Sequence, residues 1–137
     1  MVGQYPFFVY GTLIPGQPND FYWEDCIGET KSAVFPNGRL FDMGSFPMLI
    51  ERGRESVIGQ VMVPHSNLDA NTYQLLVQRL DNLENYNPEN VEDSPYYRAL
   101  RTVFIQETQP TTAWVYLGRP KYTQGRTFIR GGNWVEY

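Results

Sequence analysis

Glu84 is the residue whose type and position point most directly to chemistry. Tyr73, Val77, Leu80 and Glu84 are spaced by four, three and four residues, so on a helix they share one face. The first three make that face apolar and turn it toward the protein. A carboxylate on its last turn sits at the edge of the core, where desolvation raises its pKa. The C-terminal end of the helix dipole disfavours negative charge there. Five acids lie between Asp81 and Asp93 with no Lys or Arg among them, a third push in the same direction. All three effects move a glutamate toward the near-neutral pKa of a general acid–base group. Spacing alone leaves a second reading open, a helix-end glutamate that marks where the stripe meets solvent.

A second candidate is Tyr10-Gly11-Thr12-Leu13, which follows an apolar run directly. Glycine at a strand end lets the backbone turn tightly and lets a ligand approach the peptide groups. Successive N–H groups in such a turn can form an anion nest, suited to a carboxylate or a developing oxyanion. An ordinary turn has the same composition. The glycine spacing and the following Lys-Ser/Thr of a phosphate loop are missing.

These residues need a scaffold. Turn residues at Pro15-Gly16, Pro36-Asn37-Gly38, Arg52-Gly53, Pro64, Pro88 and Pro110 cut the chain into short pieces and favour strands. Phe7 to Tyr10 reads as a central strand, apolar throughout. Ser32 to Phe41 reads as two strands joined at Pro36-Asn37-Gly38. Pro47–Ile50 and Val57–Val63 read as two more, and Ala99–Gln106 and Ala113–Leu117 as a pair bridged around Pro110. Asp69 to Asn85 alone has helical spacing, with apolar residues at Tyr73, Leu76, Val77, Leu80 and Leu83. Asp69 or Asn71 is the expected N-cap, and Asn85 to Pro88 the stop. The expected fold is α+β: a compact mixed β-barrel or curved sheet with one principal helix, formed by residues 1–137 as one domain.

Composition narrows the function. The chain of 137 residues carries a net charge of −4, one cysteine (Cys26) and one histidine (His65). One Cys and one His cannot supply the usual zinc sets, and Ser-His-Asp or Cys-His catalysis would have to rest on His65. A carboxylate is therefore the expected proton carrier. The acidic balance argues against nucleic-acid binding, and no run approaches the ~18 apolar residues of a membrane span. Met1 to Val9 shows no basic region or cleavage signature, so the cytoplasm is the expected compartment. Cys26 reads as a small buried residue, and His65 as a strand-end residue. Arg119, Lys121, Arg126 and Arg130 read as a solvated basic face in preference to an anion-docking site.

Taken together, Tyr10-Gly11-Thr12-Leu13 and Leu80-Asp81-Asn82-Leu83-Glu84-Asn85-Tyr86 resemble the γ-glutamylcyclotransferase-like (AIG2-like) family. Its pattern is a strand ending in Tyr-Gly-(Ser/Thr)-Leu and a helix closing on Leu-Asp-x-(Leu/Ile)-Glu-Gly-Tyr. Gly38 to Gly44 with Phe46-Pro47, Gly59-Gln60-Val61, Tyr97-Arg98, Ala113 to Tyr116 and Gly132-Asn133-Trp134 resemble further family segments in the same order. The chain departs at Gln60, Asn85 and Asn133, where Glu, Gly and Asp are usual. Asn85 neighbours Glu84, and Asn tolerates the left-handed conformation that such a turn needs. The resemblance implies a cavity between the first loop and the helix end. It implies that Glu84 is the catalytic acid–base residue and that Tyr10, Gly11, Thr12 and Leu13 bind substrate. Tyr122, after the closing strand, resembles a substrate-contacting position in some members. The implied enzyme, of the acyltransferase or lyase class, takes a small γ-glutamyl amide and forms 5-oxoproline without metal or cofactor. A related reaction on a γ-glutamyl amine or isopeptide, and a non-catalytic module that kept the cavity, are the competing readings.

Overall fold

A computed structural model of the chain describes residues 4–137; the first three positions of the Met1 to Val9 stretch and of the expected domain lie outside them. The apolar run after Pro6 forms β1 (Phe7–Val9) at the centre of the sheet, buried on both faces. β2 (Ile27–Asp42) and β3 (Pro47–Pro64) make a long antiparallel hairpin. α1 (Ala70–Leu83) follows, then β4 (Tyr96–Ile105) and β5 (Gln109–Gly118), a second hairpin, and the short β6 (Thr127–Phe128). The order is β3-β1-β5-β4-β2-β6, and β2 pairs back onto β3, so five strands close into a ring. β1 and β5 run parallel and the other pairs antiparallel, which makes the ring mixed.

Period-two alternation along β1 divides the core. Phe8 and Tyr10 join Leu40, Leu49, Val57, Val61, Val115 and Leu117 in one apolar cluster. Phe7 and Val9 join the other, under Tyr73, Leu76, Val77 and Leu80 of α1. The predicted helix face is therefore the buried one. Asp69 is its N-cap, accepting a hydrogen bond from the Thr72 amide at 2.7 Å.

Three strand expectations need correction. Ser32 to Phe41 is one strand: Pro36-Asn37-Gly38 is absorbed as a bulge with Asn37 at φ 60°. Pro47–Ile50 and Val57–Val63 are likewise one strand, because Ile50 pairs with Arg39 and Glu55 with Gly38, leaving residues 51–54 to bow out around Gly53 at φ +100°. The β4–β5 turn lies at Gln106 and Glu107, both at positive φ, while Pro110 sits inside β5 opposite Phe104. Turn-forming residues mark places where the backbone departs from a ladder, and a bulge meets that description as well as a reversal does.

No helix among the described residues is long and apolar enough to cross a membrane.

Candidate active site

α1 ends where Glu84 must be held still. The Tyr86 amide donates to the Asp81 carbonyl at 2.9 Å and the Asn85 amide to the Asn82 carbonyl at 3.2 Å. With Asn85 left-handed at φ 55°, this is a Schellman cap, and Glu84 is the last residue it fixes. Asparagine thus fills the position expected of glycine, as its local chemistry allows.

Glu84 lines a cavity of about 410 Å³ together with Tyr10, Gly11, Thr12 and Leu13. The same cavity is walled by Tyr96 and Tyr116, and by Asn19, Phe46 and Pro47. Burial lifts the Glu84 pKa from 4.5 to about 7. The acid cluster expected to add to this effect does not: Asp81 is paired with Arg98, and Glu89, Glu92 and Asp93 are exposed. No described donor holds the Glu84 carboxyl, which leaves it available to a ligand.

The loop after β1 is ordered through its carbonyls. Gly11 O accepts from the Ile14 amide at 3.0 Å, Thr12 O from the Asn19 amide at 2.8 Å, and Leu13 O from Trp23 Nε1 at 2.7 Å. Asn19 Nδ2 adds a bond to Thr12 Oγ1 at 2.9 Å. The amides of Gly11, Thr12 and Leu13 donate to no described acceptor. Three consecutive N–H groups are left unspent beside the cavity, the arrangement that binds an anion. Gly11 has a steric reason as well, since a Cβ there would lie 2.6 Å from Pro47 Cγ.

Sequence reasoning missed the residues behind these. Asp81 is buried and receives Arg98 Nε at 2.8 Å, Arg98 Nη2 at 3.3 Å and the Tyr116 hydroxyl at 2.6 Å. Arg98 also lies 4.2 Å over the Trp114 ring. Asp81 is three residues before Glu84, so this pairing ties the last turn of α1 to β4 and β5. A charged residue directly after Leu80, with Arg98 near the start of β4 to match it, was the available signal.

Tyr122 is not brought to this site. It lies on the short turn Pro120–Thr123, is 38% exposed, and has Lys121 Nζ 5.3 Å above its ring. The basic face is also more structural than expected: Arg119 donates to the carbonyls of Ser94 and Val91 at 2.8 and 2.6 Å, pinning that segment. Cys26 is buried, and His65 is exposed beyond the end of β3.

Two short motifs far apart in sequence therefore meet on one cavity. Residues 7–136 match the family described as gamma-glutamyl cyclotransferase, AIG2-like. The chain belongs to that family. A Vibrio cholerae protein named "Putative gamma-glutamylcyclotransferase" is 30% identical over 135 residues, 97% of each chain. YkqA from Bacillus subtilis has the same fold at a TM-score of 0.68 and 20% identity, over 96% of this chain and 40% of that one. An AIG2-like protein from mouse gives a TM-score of 0.57 at 22% identity, over 86% of this chain and 81% of its own. Tyr10-Gly11-Thr12-Leu13 and Glu84, the segments on which the sequence resemblance rests, both line this cavity.

Proposed function

We propose that this chain is a γ-glutamylcyclotransferase that acts by intramolecular attack of the substrate's own amine. The observation that carries this reading is a carboxyl free of ion pairs, with its pKa lifted to about 7, sharing one cavity with three unspent loop amides. The α-nitrogen of a γ-glutamyl amide attacks the γ-carbonyl carbon and closes a five-membered ring. The bond from that carbon to the amide nitrogen then breaks, giving 5-oxoproline and a free amine. Glu84 takes a proton from the attacking ammonium and returns one to the leaving nitrogen. Overall two protons move from the first nitrogen to the second, and the leaving group departs as an ammonium ion. The amides of Gly11, Thr12 and Leu13 hold the substrate carboxylate or the oxyanion. Because the nucleophile belongs to the substrate, orientation supplies much of the acceleration, up to ~7–11 kcal/mol in favourable cases.

The leaving group has its own support. Among the described residues no Lys, Arg or His lines the cavity, so a carboxylate on the departing amine finds no cation from them there. This favours γ-glutamyl amines over γ-glutamyl amino acids.

The test is 5-oxoproline release from a panel of γ-glutamyl amides and amines. An unreactive panel overturns the reading. In the reactive case kcat/KM is expected to rise with pH through about 7, as Glu84 becomes the free carboxylate. A profile flat between pH 5 and 9 removes Glu84 as the base. Gly11→Val is expected to weaken binding of a γ-glutamyl amide by roughly tenfold or more, since its side chain meets Pro47 and displaces the amide row. Unchanged affinity by calorimetry would place the ligand elsewhere.

A further inference from the structure

The cavity meets solvent where its lining residues are themselves exposed. Phe46, on the turn between β2 and β3, is 40% exposed, and Pro18, Ser45 and Asn85 are exposed as well. Leu83, just before Glu84, is half-buried and also lines the cavity. The mouth is thus built from three segments: the loop after β1, the β2–β3 turn and the end of α1. The Phe46 ring is tilted against that of Tyr96, with centroids 6.4 Å apart, and Tyr96 is buried in the cavity wall. The turn that carries Phe46 is fixed by its own hydrogen bonds. The Met43 amide donates to the Phe46 carbonyl at 3.0 Å, the Gly44 amide to Asp42 Oδ1 at 2.8 Å, and the Tyr137 hydroxyl to Asp42 Oδ2 at 3.1 Å. Gly44, at φ +110°, lets this turn close. An apolar surface that is already ordered contributes its contact area without further loss of chain entropy.

We propose that Phe46, Pro18 and Leu83 form an apolar rim that selects leaving amines carrying an uncharged alkyl chain. The proposal rests on the γ-glutamyl reading above and names the class of amine that is released. The γ-glutamyl part fills the inner cavity, between Glu84 and the loop amides, and the substituent on the leaving nitrogen runs out through the mouth. There an alkyl chain covers the Phe46 ring and the Leu83 side chain and is itself partly removed from water. A carboxylate in the same place meets no described Lys, Arg or His and shares the cavity with the Glu84 charge. The polar side chains at the mouth are neutral: Ser45, Asn85 and Asn19, whose Nδ2 is spent on Thr12 Oγ1. Contact made by this remote chain helps to hold the reacting centre in place, so it is read out in kcat/KM. Phe46 is the specificity-determining residue, because its ring is the largest apolar surface at the mouth.

The test compares 5-oxoproline release from three substrates whose leaving amines have nearly equal basicity: γ-glutamyl methylamide, γ-glutamyl butylamide and the γ-glutamyl amide of 4-aminobutanoate. In the unmodified protein kcat/KM for the butylamide is expected to exceed that for the methylamide about tenfold, since three further methylenes lie half covered at the rim. It is expected to exceed that for the 4-aminobutanoate substrate by at least about tenfold. Phe46→Ala is expected to lower the butyl-to-methyl ratio about threefold or more, and Phe46→Leu to keep it within about twofold. Phe46→Arg is expected to raise the 4-aminobutanoate substrate relative to the butylamide about tenfold, by placing a cation at the mouth. A structural disturbance would slow all three substrates together and leave their ratios intact. A butyl-to-methyl ratio near one in the unmodified protein, or a ratio undiminished in Phe46→Ala, overturns the rim while the γ-glutamyl reading stands. Failure of all three substrates overturns both.

Discussion

Glu84→Gln is expected to fold and to release 5-oxoproline from γ-glutamyl amides at least about a thousandfold more slowly than the parent chain. The amide has nearly the carboxyl's size and keeps the Schellman-capped helix end unchanged. It cannot take a proton from an ammonium ion at neutral pH. Positioning by the loop amides survives, which is why residual turnover above the uncatalysed rate is expected. A loss smaller than tenfold, measured in the 5-oxoproline assay, would mean that another group carries the proton.

The same variant has a thermodynamic signature that separates a tuned carboxylate from a surface one. Glu84 titrates near 4.5 when the chain is unfolded and at about 7 when it is folded. A raised folded pKa means that the folded state holds its proton longer, so the contribution is fully present below pH 4.5. It is lost as pH climbs through about 7. Gln carries no charge at any pH and escapes this penalty. The stability of Glu84→Gln relative to the parent is therefore expected to rise between pH 4.5 and 7 and to level off about 3 kcal/mol higher. Urea unfolding at pH 4.5 and pH 8 measures the difference. Equal gaps at the two pH values would show that the carboxylate is solvated.

Asp81→Ala is expected to act in the opposite direction and by a larger amount. Asp81 and Arg98 form the most enclosed ion pair of the described residues, their side chains only 7% and 15% exposed. Removing the aspartate strands a guanidinium between the Trp114 ring and the helix, and frees the Tyr116 hydroxyl from its acceptor. Breaking such a pair from one side costs about 3–5 kcal/mol. A shift in the urea midpoint equivalent to less than about 1 kcal/mol would put this pair among solvated surface bridges. Asp81→Asn keeps an acceptor for Tyr116 and is expected to fall between Asp81→Ala and the parent.

Much of this site was legible before the fold was known, because helical periodicity is a local property. Four residues on one face suffice to place Glu84 at the end of the buried stripe, and the capping aspartate begins the helix where expected. The same local view explains the failures. Whether Pro36-Asn37-Gly38 reverses the chain or bulges within it depends on β3 continuing opposite, and residues near the bend do not carry that information. Tyr96 and Tyr116 look like other aromatics in apolar strands until β4 and β5 are placed beside α1. Tyr122 shows the converse: a tyrosine after the closing strand, with nothing nearby to hold it in the cavity. The cause assigned to the Glu84 shift was also only partly legible, since Arg98 neutralises Asp81 from a strand that begins well after the helix ends.

The parallel pairing of Phe7 with Trp114 has a kinetic consequence. It joins the two ends of the barrel, so the loop that it closes contains most of the chain, and contacts of such long span form late in folding. Tyr10 arrives from the start of the sequence, Glu84 from the middle and Tyr116 from near the end. During synthesis the pocket cannot close before Tyr116 has been made, and a nascent chain that has made the β2–β3 hairpin and α1 still lacks β5, the parallel partner of β1. Slow refolding is expected to track the return of ligand binding, with the hairpin already formed while the site is still open.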